Sequence, residues 1–262
     1  MSETTIRFED GAAYDRGMGR WSPLVGEVFI DWLAPPNGWR WVDIGCGSGA
    51  FTELLYRRCA PAEVQAVDPS NAQLSFARDR PGARGAVFQL GDAMTLPFAA
   101  DRFDAAVMAL VIFFVPDPAK GVAEMVRVTR PDGTVAAYAW DMEGGGFPFE
   151  QLRAALRDSG FTPPLPPSAA ASRMDALRDL WTGAGLQSVE TCAFTVQRSY
   201  ADFDEYWMAS TASGSLRPTI AAMSAPEVEA LKQRTRARLP IDASGRITYS
   251  ARANAVKGQV LR

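Results

Sequence analysis

No stretch constrains this chain more than Trp41-Val42-Asp43-Ile44-Gly45-Cys46-Gly47-Ser48-Gly49-Ala50-Phe51-Thr52. Trp41, Val42 and Ile44 are strand formers bounded by glycine. Glu53-Leu54-Leu55-Tyr56 begins a helical pattern, with Ser48 placed like an N-cap. Glycines 45, 47 and 49, each separated by one residue, let the backbone turn sharply and lie against a ligand with no Cβ between them. The start of a helix adds unpaired N–H groups and a positive dipole end. A strand, a glycine turn and a helix in this order describe a nucleotide-type site, although a glycine turn alone is common to many such sites.

Two companions narrow the field. Val64-Gln65-Ala66-Val67-Asp68 is a second strand that ends in a carboxylate, 19 residues after Gly49. An acid at that offset in a βαβ unit is placed to accept hydrogen bonds from ribose hydroxyls. Phe88-Gln89-Leu90-Gly91-Asp92-Ala93 is a third strand end with another acid, followed by Leu96-Pro97-Phe98 and the apolar strand Phe103-Asp104-Ala105-Ala106-Val107-Met108-Ala109. Taken in order, VDIGCGSG (42–49), AVDPS (66–70), GDAMTLPF (91–98), FDAAVMAL (103–110) and RPDGTV (130–135) resemble the class I S-adenosylmethionine-dependent methyltransferases. Within that family the resemblance is to the small-molecule branch related to ubiquinone/menaquinone biosynthesis methyltransferases (methyltransferase type 11), and it covers roughly residues 38–141. It implies an α/β, Rossmann-like doubly wound sheet, with S-adenosylmethionine as cofactor and S-adenosylhomocysteine as product.

Composition closes several other routes. The chain has 262 residues, 47% hydrophobic and 22% charged, which suits one globular domain with an elaboration. A net charge of −3 argues against a broad nucleic-acid surface. Cys46, Cys59 and Cys192 have neither CxxC spacing nor an evident pairing, so free thiols in a reducing compartment are expected, with no metal site. The polar start, Met1 to Thr5, has no apolar signal core, and no apolar run reaches membrane-spanning length, so a cytoplasmic location and no membrane span are expected. There is no histidine. Mechanisms built on a histidine base, a Ser-His or Cys-His pair or a histidine metal ligand are excluded.

Read as a single domain over 1–262, the chain divides into an N-terminal arm and helix (1–33), a cofactor-binding core (34–141), an exit loop, helix and strand (142–200), a helical cap insertion (201–240) and a final strand (241–262). Ser22 and Pro23 suit the start of the first helix, as N-cap and first helical residue. Asn71 to Ala77 and the segment after Asp117-Pro118 read as further helices. Pro131-Asp132-Gly133 reads as a turn into a strand over 134–141. Five strands alternating with helices imply a mostly parallel sheet with helices on both faces. After the flexible Gly144-Gly145-Gly146, residues 171–183 read as a helix, Val189–Val196 and Arg246–Val260 as antiparallel last strands, and 202–210 and 226–239 as cap helices.

Each candidate site residue carries a plainer alternative. Gly45, Gly47 and Gly49, with Cys46 and Ser48 between them, bring the loop backbone against the cofactor. Asp43 faces the methionyl ammonium or only braces the turn. Asp68, with Pro69 after it, meets the ribose or caps the next helix. Asp92 and Ala93 hold the adenine edge, or Asp92 is a surface turn acid. Ala109 and Leu110 line the slot under the sulfonium. Where relatives of the resembled family often carry histidines, Phe113-Phe114 stands here, which suits an apolar acceptor pocket or simple core packing. The family's arm folds over the cofactor, so Tyr14 and Arg20 are candidate ligands, Arg20 for the methionyl carboxylate; a solvated arm with Trp21 docked on the core is the alternative. Tyr14, Tyr138, Asp141 and Glu143 are the polar groups expected near the acceptor, and no catalytic residue is assigned.

The expected function is methyl transfer to a small, apolar or aromatic acceptor. Base and glutamine methylation are set aside because no Pro-Pro-Tyr or Pro-Pro-Phe run follows the fourth strand. An NAD(P)-dependent oxidoreductase is the enzymatic rival, since Gly45 to Ala50 fits G-x-G-x-x-A. A non-catalytic S-adenosylmethionine-binding regulator is the rival from outside enzymology.

Overall fold

The computed structural model describes residues 18–261. Tyr14 and the arm before Met18 lie outside the described residues. A short turn at Met18–Arg20 leads into α1 (Ser22–Leu33), β1 (Arg40–Ile44), α2 (Ala50–Cys59), β2 (Glu63–Asp68), α3 (Asn71–Arg78), β3 (Val87–Leu90), β4 (Phe103–Ala109), α4 (Pro118–Val128) and β5 (Thr129–Trp140). Then come α5 (Glu150–Asp158), α6 (Met174–Gly183), β6 (Gln187–Tyr200), α7 (Phe203–Thr211), α8 (Arg217–Ala221), α9 (Ala225–Arg236) and β7 (Ile247–Gln259). Among the described residues no helix is long and apolar enough to cross a membrane.

The strands form one seven-stranded sheet in the order β3-β2-β1-β4-β5-β7-β6. The pairs β1–β2, β1–β4, β2–β3 and β4–β5 are parallel, while β7 is antiparallel to both β5 and β6. It follows that β6 runs in the same direction as β5. All parallel strands therefore end at one edge, where the chain order also reverses between β1 and β4, and ligands of doubly wound sheets bind in such a crevice. The central strands are apolar on both faces, as a sheet covered by helices on each side requires: Val42, Val64, Ala106, Val107, Met108, Ala137 and Ala139 are all buried.

Local chemistry departs from the sequence reading in a few places. Ser22 is not the N-cap of α1; it lies in the first turn and its hydroxyl donates to the Met18 carbonyl. The RPDG run does not simply precede β5. The strand already pairs at Thr129, and the chain slips register between Phe103 and Ala105, with Asp132 at φ 60°. Helix α5, unforeseen in the exit segment, buries Leu152, Ala155 and Leu156 at helical spacing. Strand β6 is longer than expected, reaching Tyr200 and not ending at Val196, so its pairing with β7 runs on to Tyr200↔Ile247. Between those two residues the chain leaves the sheet to build α7, α8 and α9.

Candidate active site

Strand β1 carries Asp43 to the sheet edge fully buried. One of its oxygens, Oδ2, accepts the Thr52 hydroxyl of α2 at 2.6 Å. The other, Oδ1, is buried with no hydrogen-bond partner. Burial is the main reason this carboxyl is pushed up to about 7; Asp68 pushes the same way and the Thr52 hydrogen bond opposes.

The glycine turn folds back on β2, with the Gly45 and Cys46 amides both donating to the Val67 carbonyl at 2.7 and 3.0 Å. Gly45 and Gly47 sit at φ 72° and 52°, the left-handed region that disfavours other residues. Their surroundings differ. A Cβ on Gly45 would lie 2.5 Å from Val111 Cγ1, whereas one on Gly47 would meet nothing closer than Gln73 Oε1 at 4.0 Å. The turn is thus packed from below at Gly45 and open at Gly47. Gly49, not Ser48, is the N-cap of α2, and it is left-handed at φ 78°. Ser48 is buried beneath the turn, where its carbonyl accepts Arg80 Nε at 2.8 Å and its hydroxyl accepts Arg80 Nη2 at 3.4 Å. Arg80 also pairs with Glu53 at 3.0 Å, tying the turn to its own helix. Arg80 does not stand out in the sequence, because it acts on the turn from outside its motif, while Thr52, the last residue of that stretch, carries no role in the sequence reading. Cys46 is buried, and its thiol is pushed up by burial and by the two nearby acids.

Asp68 ends β2 and holds the same turn from the other side. Its Oδ2 accepts the Gly47 amide at 2.9 Å and its Oδ1 the Ser70 amide at 2.8 Å. Burial raises this carboxyl, against the pull of those two amides. The cap of α3 is Ser70, whose hydroxyl accepts the Gln73 amide at 3.4 Å, so the alternative of Asp68 as helix cap does not hold. Pro69 between them is exposed.

Beyond β3, Asp92 is exposed and turns the chain through its Oδ1, which accepts the Met94 amide at 2.8 Å; Ala93 beside it is half-buried. Beyond β4, Ala109 is half-buried, and Leu110 takes φ 64° while its amide donates to the Tyr138 carbonyl at 2.8 Å. Phe113 is buried and Phe114 half-buried, with ring centroids 4.6 Å apart.

Three residues expected near an acceptor have settled structural partners. Tyr138 is buried between Phe29 and Phe51, at centroid distances of 4.6 and 5.8 Å. Asp141 accepts both Arg252 Nε at 3.0 Å and the Gly144 amide at 2.9 Å. Glu143 lies 3.9 Å from Arg173 at the surface. Arg20 is exposed, and among the described residues its ion-pair partner is Glu205 of α7, at 3.8 Å, not a group of the glycine turn. Trp21 is fully buried, its Nε1 donating to Tyr200 Oη at 3.0 Å and its ring set edge-on to Trp140 at 6.3 Å. An aromatic floor thus extends from the end of β5 to the end of β6.

Comparison with known proteins identifies the family and the fold. Residues 42–137 match a family model described as a methyltransferase domain. An uncharacterized protein of Mycobacterium tuberculosis is 31% identical over 176 residues, and the alignment spans 63% of each chain, just under two thirds of that relative's length. The malonyl-[acyl-carrier protein] O-methyltransferase of Methylococcus capsulatus is 31% identical over 197 residues, which cover 74% of this chain and 67% of the relative. Among solved structures, a methyltransferase assigned to an antibiotic biosynthesis pathway of Anabaena variabilis has the same fold, with a TM-score of 0.64 at 18% identity over 89% of this chain and 98% of its own.

Proposed function

The chain belongs to the class I S-adenosylmethionine-dependent methyltransferases, and from that membership we propose that it moves the methyl group of S-adenosylmethionine onto a small organic acceptor by in-line displacement. The observation that carries this reading is the pair of buried acids on either side of the glycine turn, one of which keeps an oxygen with no partner.

The residues present fit the cofactor. We assign the methionyl ammonium to Asp43 Oδ1, where a cationic donor would satisfy an otherwise unpaired buried acceptor. The open space over Gly47 receives the cofactor's backbone-facing side, because no Cβ intrudes there. We give the ribose hydroxyls to Asp68 and the adenine edge to Asp92 with Ala93. Ala109 and Leu110 line the slot beneath the reacting centre. Bound there, the cofactor supplies an electrophilic methyl on a positively charged sulfur.

What the chain itself contributes is position and dryness. Asp43 and Asp68 fix the two ends of the ligand from one rigid turn, and holding reactants in line is worth a large share of such a barrier. Their buried negative charge also favours a cation in the ground state, so they serve binding and not the step in which that charge disappears. Trp21, Trp140, Phe113 and Phe114 exclude water from the acceptor side. No general base is needed where the acceptor's proton is weakly held.

We take the acceptor to be largely apolar or aromatic, in keeping with the aromatic residues gathered at this edge of the sheet, and the site of action to be the cytoplasm, in keeping with three free cysteines. Calorimetric titration with S-adenosylmethionine, S-adenosylhomocysteine and NAD tests the reading. Both sulfur cofactors should bind and NAD should not; tighter binding of NAD than of either would overturn it.

A further inference from the structure

The far end of the same sheet edge holds a charge that the reaction does not use. Because β6 runs parallel to β5, Arg198 and Tyr200 close the edge on which β1, β4 and β5 also end. Arg198 points to the inner face of β6, the face of Phe194, Val196 and Tyr200, and its side chain is only 9% exposed. Its guanidinium lies 4.3 Å over the Tyr200 ring. One of its nitrogens, Nη1, is buried with no hydrogen-bond partner. A buried donor of a permanently charged group left unpaired is costly, and an anionic ligand would satisfy it.

The pairing of Arg198 points the same way. The carboxylate paired with Arg198 is Glu205, at 3.6 Å, and Glu205 Oε1 is shared with Arg20 at 3.8 Å. Its other oxygen, Oε2, accepts the Ala201 amide at 2.7 Å. Two guanidinium groups therefore divide one carboxylate oxygen, at 3.6 and 3.8 Å, so neither is fully neutralised by it. The corner is joined to the reaction crevice by direct contact. Trp21 donates to Tyr200, which lies under Arg198, and Trp21 also packs edge-on against Trp140 at the end of β5.

We propose that Arg198 is the anion-binding end of the acceptor site, so that the molecule methylated is an apolar or aromatic compound that also carries a carboxylate. This rests on the methyltransferase reading and adds the acceptor's polar handle to it. Arg198 Nη1 donates to the carboxylate, the rings of Trp21, Trp140 and Tyr200 cover the hydrocarbon between, and the methyl-accepting atom lies toward β4 and β5. Arg20, at the mouth, attracts the anion without being buried by it.

The experiment compares two probes of one shape, phenylacetate and phenylacetamide, titrated into the protein saturated with S-adenosylhomocysteine and followed by ligand-observed NMR. Wild type should bind the carboxylate about tenfold or more tightly than the amide, the difference expected for a hydrogen bond to a charged group. Arg198→Met should erase that preference while leaving S-adenosylhomocysteine affinity unchanged, and Arg198→Lys should restore part of it. Glu205→Gln, at a half-exposed position, should strengthen carboxylate binding, because it removes the competing charge. Equal binding of the two probes to wild type, or no binding of either, overturns the proposal, as does a preference that survives Arg198→Met. Should Arg198→Met not fold, unchanged carboxylate affinity in Glu205→Gln decides against it. Absence of S-adenosylhomocysteine binding in wild type would instead be a failure of the methyltransferase reading itself.

Discussion

Asp68 Oδ2 receives the Gly47 amide at 2.9 Å, so the acid that ends β2 is also the clamp on the turn that follows β1. Its second oxygen holds the Ser70 amide, which places one carboxylate between two loops of the crevice. Asp68→Ala should therefore do two things at once. Unfolding in urea should show a loss of about 1–3 kcal/mol, because two half-buried amides lose their acceptor. Titration with S-adenosylhomocysteine should show a comparable loss of binding energy. A folded variant with unchanged affinity would remove Asp68 from the ribose contact.

Gly45 and Gly47 should separate fold from ligand. Gly45→Ala sets a methyl 2.5 Å from Val111 and should lower stability by about 1–3 kcal/mol through overpacking, on top of its left-handed backbone. Gly47→Ala has room for its methyl and should cost only about 1–2 kcal/mol of backbone strain, yet it fills the space assigned to the cofactor. Thermal melts with and without S-adenosylhomocysteine distinguish them: the ligand should still raise the midpoint of Gly45→Ala and fail to raise that of Gly47→Ala.

The titration of Asp43 gives a pH signature with a defined sign. Its carboxyl rises in the folded state from an ordinary 3.8 to about 7. Between those values the folded protein holds a proton that the unfolded chain has released. Its contribution to stability is therefore fully present below about pH 3.8, declines as pH rises, and is gone above about 7. Cofactor affinity should move the opposite way, since an ammonium prefers the ionised acid: it should rise by up to about tenfold per unit up to pH 7 and then level off. Calorimetry in buffers of different ionisation enthalpy should detect proton release on binding at pH 6 and none at pH 8. Binding that ignores pH over this range, in wild type and Asp43→Asn alike, would detach Asp43 from the ammonium.

The Trp21–Tyr200 hydrogen bond should behave as a coupled pair. Trp21→Phe and Tyr200→Phe should each cost about 1–3 kcal/mol, through a lost buried hydrogen bond and, for Trp21, a small cavity. The double variant should cost about 1 kcal/mol less than the two single losses taken together. Strict additivity in denaturant unfolding would mean that the bond contributes no energy of its own.

The glycine turn and the strands around it are open to sequence reading because their constraints are local. A strand, a turn that favours glycine and an acid at a fixed offset are consecutive features, and Asp43, Gly45, Gly47 and Asp68 lie together at one edge of the sheet. What escaped lies in contacts between distant segments. Arg80 reaches Ser48 across 32 residues, Trp21 reaches Tyr200 across 179, and nothing in the local pattern of either residue announces its partner. Ser48 and Ser22 were misplaced as caps for a related reason. A serine near a helix start has several backbone groups within reach, and packing decides which one it takes. Arg20 shows the same limit. Its position in the chain suggests the methionyl carboxylate, and nothing in its local pattern announces the ion pair it makes with Glu205.

The pairing of Tyr200 with Ile247 has one more consequence. The two residues at which the chain departs from the sheet and returns to it stand side by side on one rung of the ladder. Topologically, everything from 201 to 246 is a hairpin loop, and a tight two-residue turn would close the same gap. Such a segment can be lengthened, shortened or exchanged over generations without altering strand order or the glycine turn at the other end of the sheet. The sheet's strand order thus places no limit on the length of this segment.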